Sequence, residues 1–205
     1  MKNFTADSFS PEQYAQWKTS LGKYKEIPAS FEKPILIALS FFPQLSDIAI
    51  EFRVKPTRVP LASRPAWSNI LFSHSQRKYI ITISSASTEF LSPILMQQLD
   101  FNSQVGVIGH ELSHIIDFST RGTAGLIRIG LGNLSSKFMD RFEFRTDSIC
   151  IAQGLGYQLL SWSMYVRKAF GANLDQEPMM RNERYMHPAT IRKRMATDPR
   201  YNLEE

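Results

Sequence analysis

The chain is organised around one largely apolar stretch, QVGVIGHELSHIID, which spans residues 104–117. Its second half contains an H-E-x-x-H pattern that runs from His110 to His114. Residues four apart lie one above the other on one face of an α-helix. The stretch is long enough for a buried helix, and Asn102 or Ser103 offers an N-cap before it. We therefore predict a buried helix that presents two imidazoles on the same face.

Two glycines, Gly106 and Gly109, interrupt this apolar stretch. Each costs roughly 1 kcal/mol of helix propensity relative to alanine. A helix that retains both of them predicts that another element packs closely against that face.

The H-E-x-x-H pattern suits a zinc site, because two neutral imidazoles four residues apart can both reach one ion. Glu111, next to the first histidine, then faces the open coordination position, where it can take a proton from a water molecule. A pattern with only three fixed residues also arises by chance. The zinc interpretation therefore requires one more protein ligand elsewhere in the chain.

A pair of carboxylates supplies that ligand 29 residues beyond His114. Glu143 and Asp147 are again four apart, so both lie on one face of a predicted helix. This arrangement suits Glu143 as the third zinc ligand and Asp147 as the acceptor of the free ring N–H of a ligating histidine. The alternative is that both are solvated helix charges beside Arg141 and Arg145. The apolar residues that flank the pair favour the ligand interpretation.

Three segments together resemble the gluzincin zinc metallopeptidases: HELSH at residues 110–114, EFRTD at residues 143–147 and HPAT at residues 187–190. The last is similar to the H-P-x-T segment of the HtpX and CAAX prenyl endopeptidase group, including its soluble minigluzincin members. The resemblance covers roughly residues 78–195. It implies an α+β, zincin-like metallopeptidase domain, mainly helical, with a small mixed sheet whose edge strand flanks the active-site cleft.

The resemblance also implies a function, a zinc-dependent endopeptidase that hydrolyses peptide or protein substrates with one Zn²⁺ ion. By position, the metal ligands are His110, His114 and Glu143, and Glu111 is the general base. His187 is expected to contact the substrate or the developing oxyanion, although a packed histidine at a helix start is the alternative. We expect residues 78–85, the clearest strand, to be the edge strand, and its substrate-binding residues to be Ile81, Thr82, Ile83 and Ser84.

This chain departs from the group in two respects. The membrane-embedded relatives have transmembrane helices around these motifs, whereas this sequence has no apolar run of about 18 residues, so cleavage within a membrane is not carried over. The group usually has an arginine six residues after the H-P histidine, where this chain has Lys193. The role of the basic cluster at residues 192–194 therefore stays open.

Composition predicts one folded domain. The chain has 205 residues, of which 43% are hydrophobic and 21% charged, as in ordinary globular proteins. We expect a single metallopeptidase domain over residues 1–205, with residues 1–33 as an N-terminal helical extension packed on a catalytic core at 34–205. Further expected elements are helices at 11–21, 34–42, 91–99 and 187–196, a strand at 48–54, irregular segments at 56–65 and 119–135, a helix at 136–169 broken near 154–156, and a polar loop at 174–186.

Location and partners follow from what the sequence lacks. The N-terminus has no signal-peptide pattern, and Cys150 is the sole cysteine, so we expect a cytoplasmic protein without a transmembrane helix. The net charge is +5, but the basic residues are scattered and no aromatic residues interleave with the cluster at 192–194. We therefore expect no nucleic-acid partner. Peripheral membrane contact is unsupported, although the apolar residues of 119–135 allow it.

Two other functions stay open at this point. The first is a catalytically latent or inactive zinc-bearing binding or scaffold protein, whose cleft residues 1–33 or 119–135 cover. The second is a basic surface-binding protein with a structural metal. Three residues also have open roles: Asp117 contacts a metal ligand or is a helix-end charge, Cys150 is expected in the core, and His74 on the surface.

Overall fold

The computed structural model describes residues 3–70, 72, 76–132, 134–172 and 184–201. These residues form a mixed α+β fold, mainly helical, with one small sheet. The helices are α1 (Pro11–Ser20), α2 (Glu32–Ser40), α3 (Phe101–Ser119), α4 (Thr123–Gly132), α5 (Ser136–Ala152), α6 (Gly156–Ala169) and α7 (Pro188–Ala196), and the strands are β1 (Lys25–Glu26), β2 (Ala49–Lys55), β3 (Leu61–Pro65) and β4 (Lys78–Ser84). In place of the short helix expected at residues 91–99, the chain forms two 3₁₀ helices, Glu89–Ile94 and Met96–Gln98. His74 and most of the loop predicted at 174–186 lie outside the described residues.

The sheet has the order β1-β2-β4-β3, with β2 parallel to β4 and β3 antiparallel to it. The prediction that residues 78–85 form the edge strand is therefore wrong. The backbone of β4 pairs on both sides, so Ile81, Thr82, Ile83 and Ser84 have no free edge for a substrate. The near-continuous apolar run of this strand is typical of an interior strand covered on both faces.

The edge beside β4 belongs to β3, in a region predicted to be irregular. Pro60 precedes this strand and Pro65 ends it. Proline removes a backbone donor, so it is tolerated in edge strands and excluded from central ones. The prolines that argued against a strand thus indicate its place at the edge of the sheet.

The N-cap of the central helix α3 lies two residues before Asn102 and three before Ser103, the two predicted caps. Asp100 is its N-cap, and the carboxylate accepts a hydrogen bond from the backbone N–H of Ser103 at 2.8 Å. A carboxylate at this end also interacts favourably with the helix dipole. The helix packs against α2, α5, α6 and β3, which explains why nearly every side chain along it is buried.

Close packing at the two glycines of α3 is confirmed. A Cβ on Gly106 would lie 2.1 Å from the carbonyl oxygen of Gln158 in α6, and one on Gly109 would lie 2.5 Å from Cδ1 of Leu155. The missing side chains therefore allow α6 to cross α3 at short range. The break predicted near residues 154–156 makes this possible, because Gly154, at φ 100°, separates α5 from α6.

The N-terminal residues are part of the fold. Phe4 is buried, and its backbone N–H donates to Oδ1 of Asn102 at 2.9 Å. Strand β1 extends the sheet by pairing with Ile50 and Glu51 of β2. Residues 119–135, expected to be mostly a loop, contain helix α4. Among the described residues, none of the helices combines the length and apolar character that a bilayer crossing requires.

Candidate metal centre

Two helices bring three buried ligand side chains together. The histidines of the H-E-x-x-H pattern come from α3, and Glu143 comes from α5. Oε2 of Glu143 lies 3.2 Å from Nε2 of His110 and 3.2 Å from Nε2 of His114. Ligand atoms of the three residues lie within 4.8 Å of one another. The structure therefore brings together the three residues predicted from spacing as metal ligands.

The other ring nitrogen of each histidine has its own hydrogen-bond partner. Nδ1 of His110 lies 2.8 Å from Oδ1 of Asp147, as predicted for this carboxylate. Nδ1 of His114 lies 3.1 Å from the hydroxyl of Thr146, which itself donates to the carbonyl of Phe142 at 3.0 Å. Because Asp147 accepts and the hydroxyl hydrogen of Thr146 is already engaged, both Nδ1 atoms are donors. In each neutral ring, Nε2 therefore carries the lone pair, on the side of the ring near the carboxylate of Glu143.

Three lone-pair atoms thus converge without hydrogen bonds between them. The contacts of Oε2 of Glu143 with the two imidazoles have the distance of ion pairs but not the angles of hydrogen bonds. Such an arrangement is repulsive unless a cation or a proton lies between the three atoms. Tetrahedral ligands at 2.0–2.1 Å from zinc are about 3.3 Å apart. The donor set and these two distances therefore fit a bound metal ion.

The titration behaviour of the cluster agrees with its need for positive charge. Burial lowers the pKa of His110, but the hydrogen bond with Asp147 and the negative charges of Asp147 and Glu143 outweigh burial and raise it well above its usual value. Burial raises the pKa of Glu143, whereas its contacts with the two imidazoles hold it well below its usual range. In the metal-free protein, a proton on His110 therefore supplies part of the charge that a metal ion would bring.

Aromatic packing fixes the ring of His114. This ring is stacked near the rings of Phe118 and Phe142, with centroids 5.8 and 5.0 Å away.

Asp117, one turn further along α3, forms ion pairs instead of contacting the cluster. It binds Arg121 at 2.6 Å and Arg145 at 3.1 Å. Asp117 is therefore a helix-end charge that ties α3 to α5 and to the segment before α4.

A cavity of about 570 Å³ opens beside the cluster. Residues of α3 and α5 form one side of it, which we call the metal wall: His110, Glu111 and Asp147. We call the facing side the apolar wall, and it consists of Leu61, Ile94, Leu159, Trp162, Val166, Met186 and Ile191. Neither residues 3–33 nor α4 lines this cavity, so the described parts of the two segments suspected of covering the cleft do not do so.

Glu111 lies where the pattern predicts a general base. The residue lines the cavity, and its side chain is almost completely buried. Its Oε2 atom has no hydrogen-bond partner among the described residues. A buried carboxylate oxygen without a partner is costly, and this residue lines the cavity, where a water molecule or a ligand can reach it.

Tyr185 is a cavity residue that the sequence did not reveal. Its ring centroid lies 5.7 Å from that of His110 and 5.9 Å from that of Trp162. Burial of part of the side chain, together with the charges of Glu143, Glu111 and Asp147, raises the pKa of Tyr185 above its usual value. The phenol therefore stays a neutral hydrogen-bond donor at physiological pH.

His187 lies close by but is held differently. It is the N-cap of α7, where Nδ1 accepts a hydrogen bond from the backbone N–H of Ala189 at 3.3 Å. The two residues before it line the cavity, and His187 does not. The backbone N–H of Met186 donates to Oδ2 of Asp147 at 2.7 Å, which anchors this segment to the metal wall. A catalytic role for His187 stays a prediction.

No protein-family model, curated protein or solved structure matches this chain.

Proposed function

We propose that the protein is a zinc-dependent peptidase of the gluzincin type, held in its active arrangement by α3 and α5. One observation carries the proposal. A buried His-His-Glu cluster, in which Glu143 lies 3.2 Å from each imidazole, stands beside a buried glutamate that lines a cavity and whose Oε2 has no partner among the described residues. A structural metal site has no need for such a glutamate, nor for a cavity, because structural sites are closed. The resemblance of the HELSH, EFRTD and HPAT segments points to the same chemistry.

His110, His114 and Glu143 would hold the ion. A zinc ion in such a site polarises the scissile carbonyl and makes water nucleophilic near neutral pH. Asp147 and Thr146 keep the two imidazoles in the tautomer that directs Nε2 toward the ion. This arrangement needs no side-chain movement before the ion binds.

Glu111 accepts the proton of the attacking water and later passes it to the leaving amine. Its buried position supports this role, because a carboxylate shielded from bulk water keeps the transferred proton inside the cavity. The phenol of Tyr185 is our candidate donor to the developing oxyanion, since it is neutral and lines the same cavity.

The surroundings of the cluster suggest how a substrate is held. The free edge of β3 offers backbone groups to an extended peptide. Leu61 of this strand also lines the apolar wall, beside Trp162 and Leu159 of α6. We propose that the peptide binds along β3 and places a large apolar side chain, next to the scissile bond, in the cavity.

The decisive experiment compares Glu111→Gln with the wild type. The variant keeps the metal ligands, so zinc content by metal analysis should be unchanged, whereas cleavage of a peptide library should fall by roughly 10²–10⁴-fold. Glu12→Gln, an exposed position on α1, is the matched control and should cleave as the wild type does.

Normal cleavage by Glu111→Gln would contradict the assignment of the base. A wild type that binds one zinc ion but cleaves no member of the library would instead favour a zinc-bearing binding or scaffold protein. A wild type that binds no zinc would reject the metal site itself.

A further inference from the structure

Two surface segments outside the cavity carry exposed apolar side chains. The first follows β3, and the second consists of α4 and the residues just after it. We call their members the outer apolar set: Trp67, Phe72, Ile127, Leu131 and Leu134, which are 71, 50, 53, 66 and 89% exposed. Groups of large apolar residues on a protein surface usually mark an interaction site.

Hydrogen bonds hold the two segments side by side. The hydroxyl of Thr123, in the first turn of α4, donates to the carbonyl of Ile70 at 3.0 Å. The guanidinium of Arg77 donates to the carbonyl of Phe72 at 3.1 Å and to that of Arg121 at 2.6 Å. The outer apolar set therefore belongs to one connected region.

Helix α4 has more apolar surface than the fold uses. Leu126 and Ile129 are buried and attach the helix to the core. Ile127 and Leu131 lie one turn apart on another face and are exposed. A helix that only covers the core needs a polar outer face, so packing does not explain these two residues.

The same region is basic. Residues 57–77 and 118–139 each contain three Lys or Arg and no Asp or Glu. Arg128 and Lys137 are exposed and form no ion pair within the described part of the chain. Arg77 is buried and donates hydrogen bonds to the carbonyls of Phe72 and Arg121 and to the hydroxyl of Thr123. Asp117 and Asp140 border residues 118–139 and pair with Arg121, Arg145 and Arg184. The charges of Arg128 and Lys137 therefore remain beside the outer apolar set.

We propose that this region binds the surface of an anionic lipid bilayer. Apolar side chains beside lysine and arginine suit the boundary between acyl chains and acidic headgroups. Exposed isoleucine and leucine offer little to a nucleic acid, whose single strands bind to aromatic platforms. Two copies of this basic region repel each other, which disfavours self-association. The proposal does not depend on the peptidase assignment.

Vesicle co-sedimentation of the full chain tests the proposal. Vesicles that contain phosphatidylglycerol should bind the protein, and those of phosphatidylcholine alone should bind it at least tenfold more weakly. Added salt should weaken binding to the anionic vesicles. The fluorescence of Trp67 should shift to shorter wavelength on binding, and Trp67→Phe should remove that part of the shift.

Two variants separate the apolar and the electrostatic contributions. Ile127→Ser/Leu131→Ser/Leu134→Ser should lower binding to anionic vesicles about tenfold or more, because three side chains no longer enter the bilayer. Arg128→Glu/Lys137→Glu should lower it about tenfold. Lys23→Glu/Tyr24→Ser, an exposed cation and aromatic residue elsewhere, should bind as the wild type does.

All of these positions are exposed, so the variants should fold, and thermal unfolding with zinc content checks this. Cleavage of a soluble peptide should be unchanged in the triple variant, which keeps the lipid result separate from the peptidase assignment. The proposal is overturned if anionic vesicles bind no protein, or if both variants bind as the wild type does. Two further results would also overturn the proposal. The first is a wild-type dimer that the triple variant no longer forms, and the second is binding to DNA without binding to vesicles.

Discussion

The metal wall and the apolar wall of the cavity differ in how the chain brings their residues together. The metal wall comes from two helices, and two of its residues belong to pairs four residues apart, His110 with His114 and Asp147 with Glu143. The apolar wall collects side chains from β3, a 3₁₀ turn, α6, α7 and the segment before α7. Helix periodicity groups the residues of the first wall within each helix, whereas the residues of the second wall come together only once the tertiary structure has formed.

After Glu111→Gln, the largest expected effect is at Tyr185, whose ring lines the cavity near His110. Tyr185→Phe keeps the ring and its packing but removes the proposed oxyanion donor. We expect kcat to fall by roughly 10²–10³-fold with little change in KM, because the lost hydrogen bond forms only in the transition state. Steady-state kinetics with a peptide substrate measures this.

Tyr157→Phe, on α6 at a tyrosine that does not line the cavity, is the matched control. An unchanged kcat in Tyr185→Phe would show that Tyr185 donates no hydrogen bond that stabilises the transition state. The next candidate donor would be His187, tested by His187→Gln.

The next effect tests the hydrogen bond behind the metal ligand. Asp147→Asn keeps the shape of the side chain but removes the charge that faces Nδ1 of His110. Zinc affinity should fall about 10–100-fold, as measured by competition with a chelator. Thr146→Val removes the hydroxyl behind His114, and its zinc affinity should fall by a similar factor or by less. Wild-type affinity in both variants would show that the imidazoles need no support.

These helices also show what could be predicted from sequence. The H-E-x-x-H pattern and the Glu143–Asp147 pair were correctly grouped because side chains four apart on a helix share a face whatever surrounds them. The close crossing at Gly106 and Gly109 was predicted for the same reason. Thr146 lies inside the quoted EFRTD segment, but only its distance from His114 reveals its role.

The apolar wall was not predicted because its residues share no local spacing. Tyr185 is 74 residues beyond Glu111, and nothing in its neighbourhood marks it as a cavity residue. The order of the strands is likewise a tertiary property, so the apolar character of β4 indicated a strand but not its interior place. Strand β3 was missed because its prolines are compatible with an edge and with a loop alike.

A third prediction concerns the junction of the two walls, where α3 crosses α6. Gly106→Ala would place a methyl group against the backbone of Gln158, which cannot move aside alone, so we expect a loss of about 1–3 kcal/mol in the free energy of unfolding. Urea unfolding measures it. Gly130→Ala on α4, where a Cβ meets no atom within 4 Å, is the control and should gain about 0.5–1 kcal/mol. If the two variants changed the free energy of unfolding equally, α6 would not cross α3 closely at Gly106.

The smallest effect lies on the sheet, away from both walls. Hydrogen bonds from Arg53 and Lys78 lower the pKa of Glu51 to about 2 from its usual 4.5. Its stabilisation is therefore complete above about pH 4.5 and is lost as the pH falls toward 2. We expect Glu51→Gln to cost at most about 1 kcal/mol at pH 7, because solvent screens this surface network. Urea unfolding at pH 3 should show a smaller difference in the free energy of unfolding between Glu51→Gln and the wild type.

The carboxylate of Asp147 has a consequence for the order in which the protein matures. One oxygen accepts a hydrogen bond from Nδ1 of His110, and the other accepts one from the backbone N–H of Met186. Because His110 and Asp147 precede Met186 in the chain, Asp147 gains this second partner only once the C-terminal segment has been synthesised. A chain that stops short of residue 186 would therefore lack one hydrogen bond to the carboxylate that contacts His110.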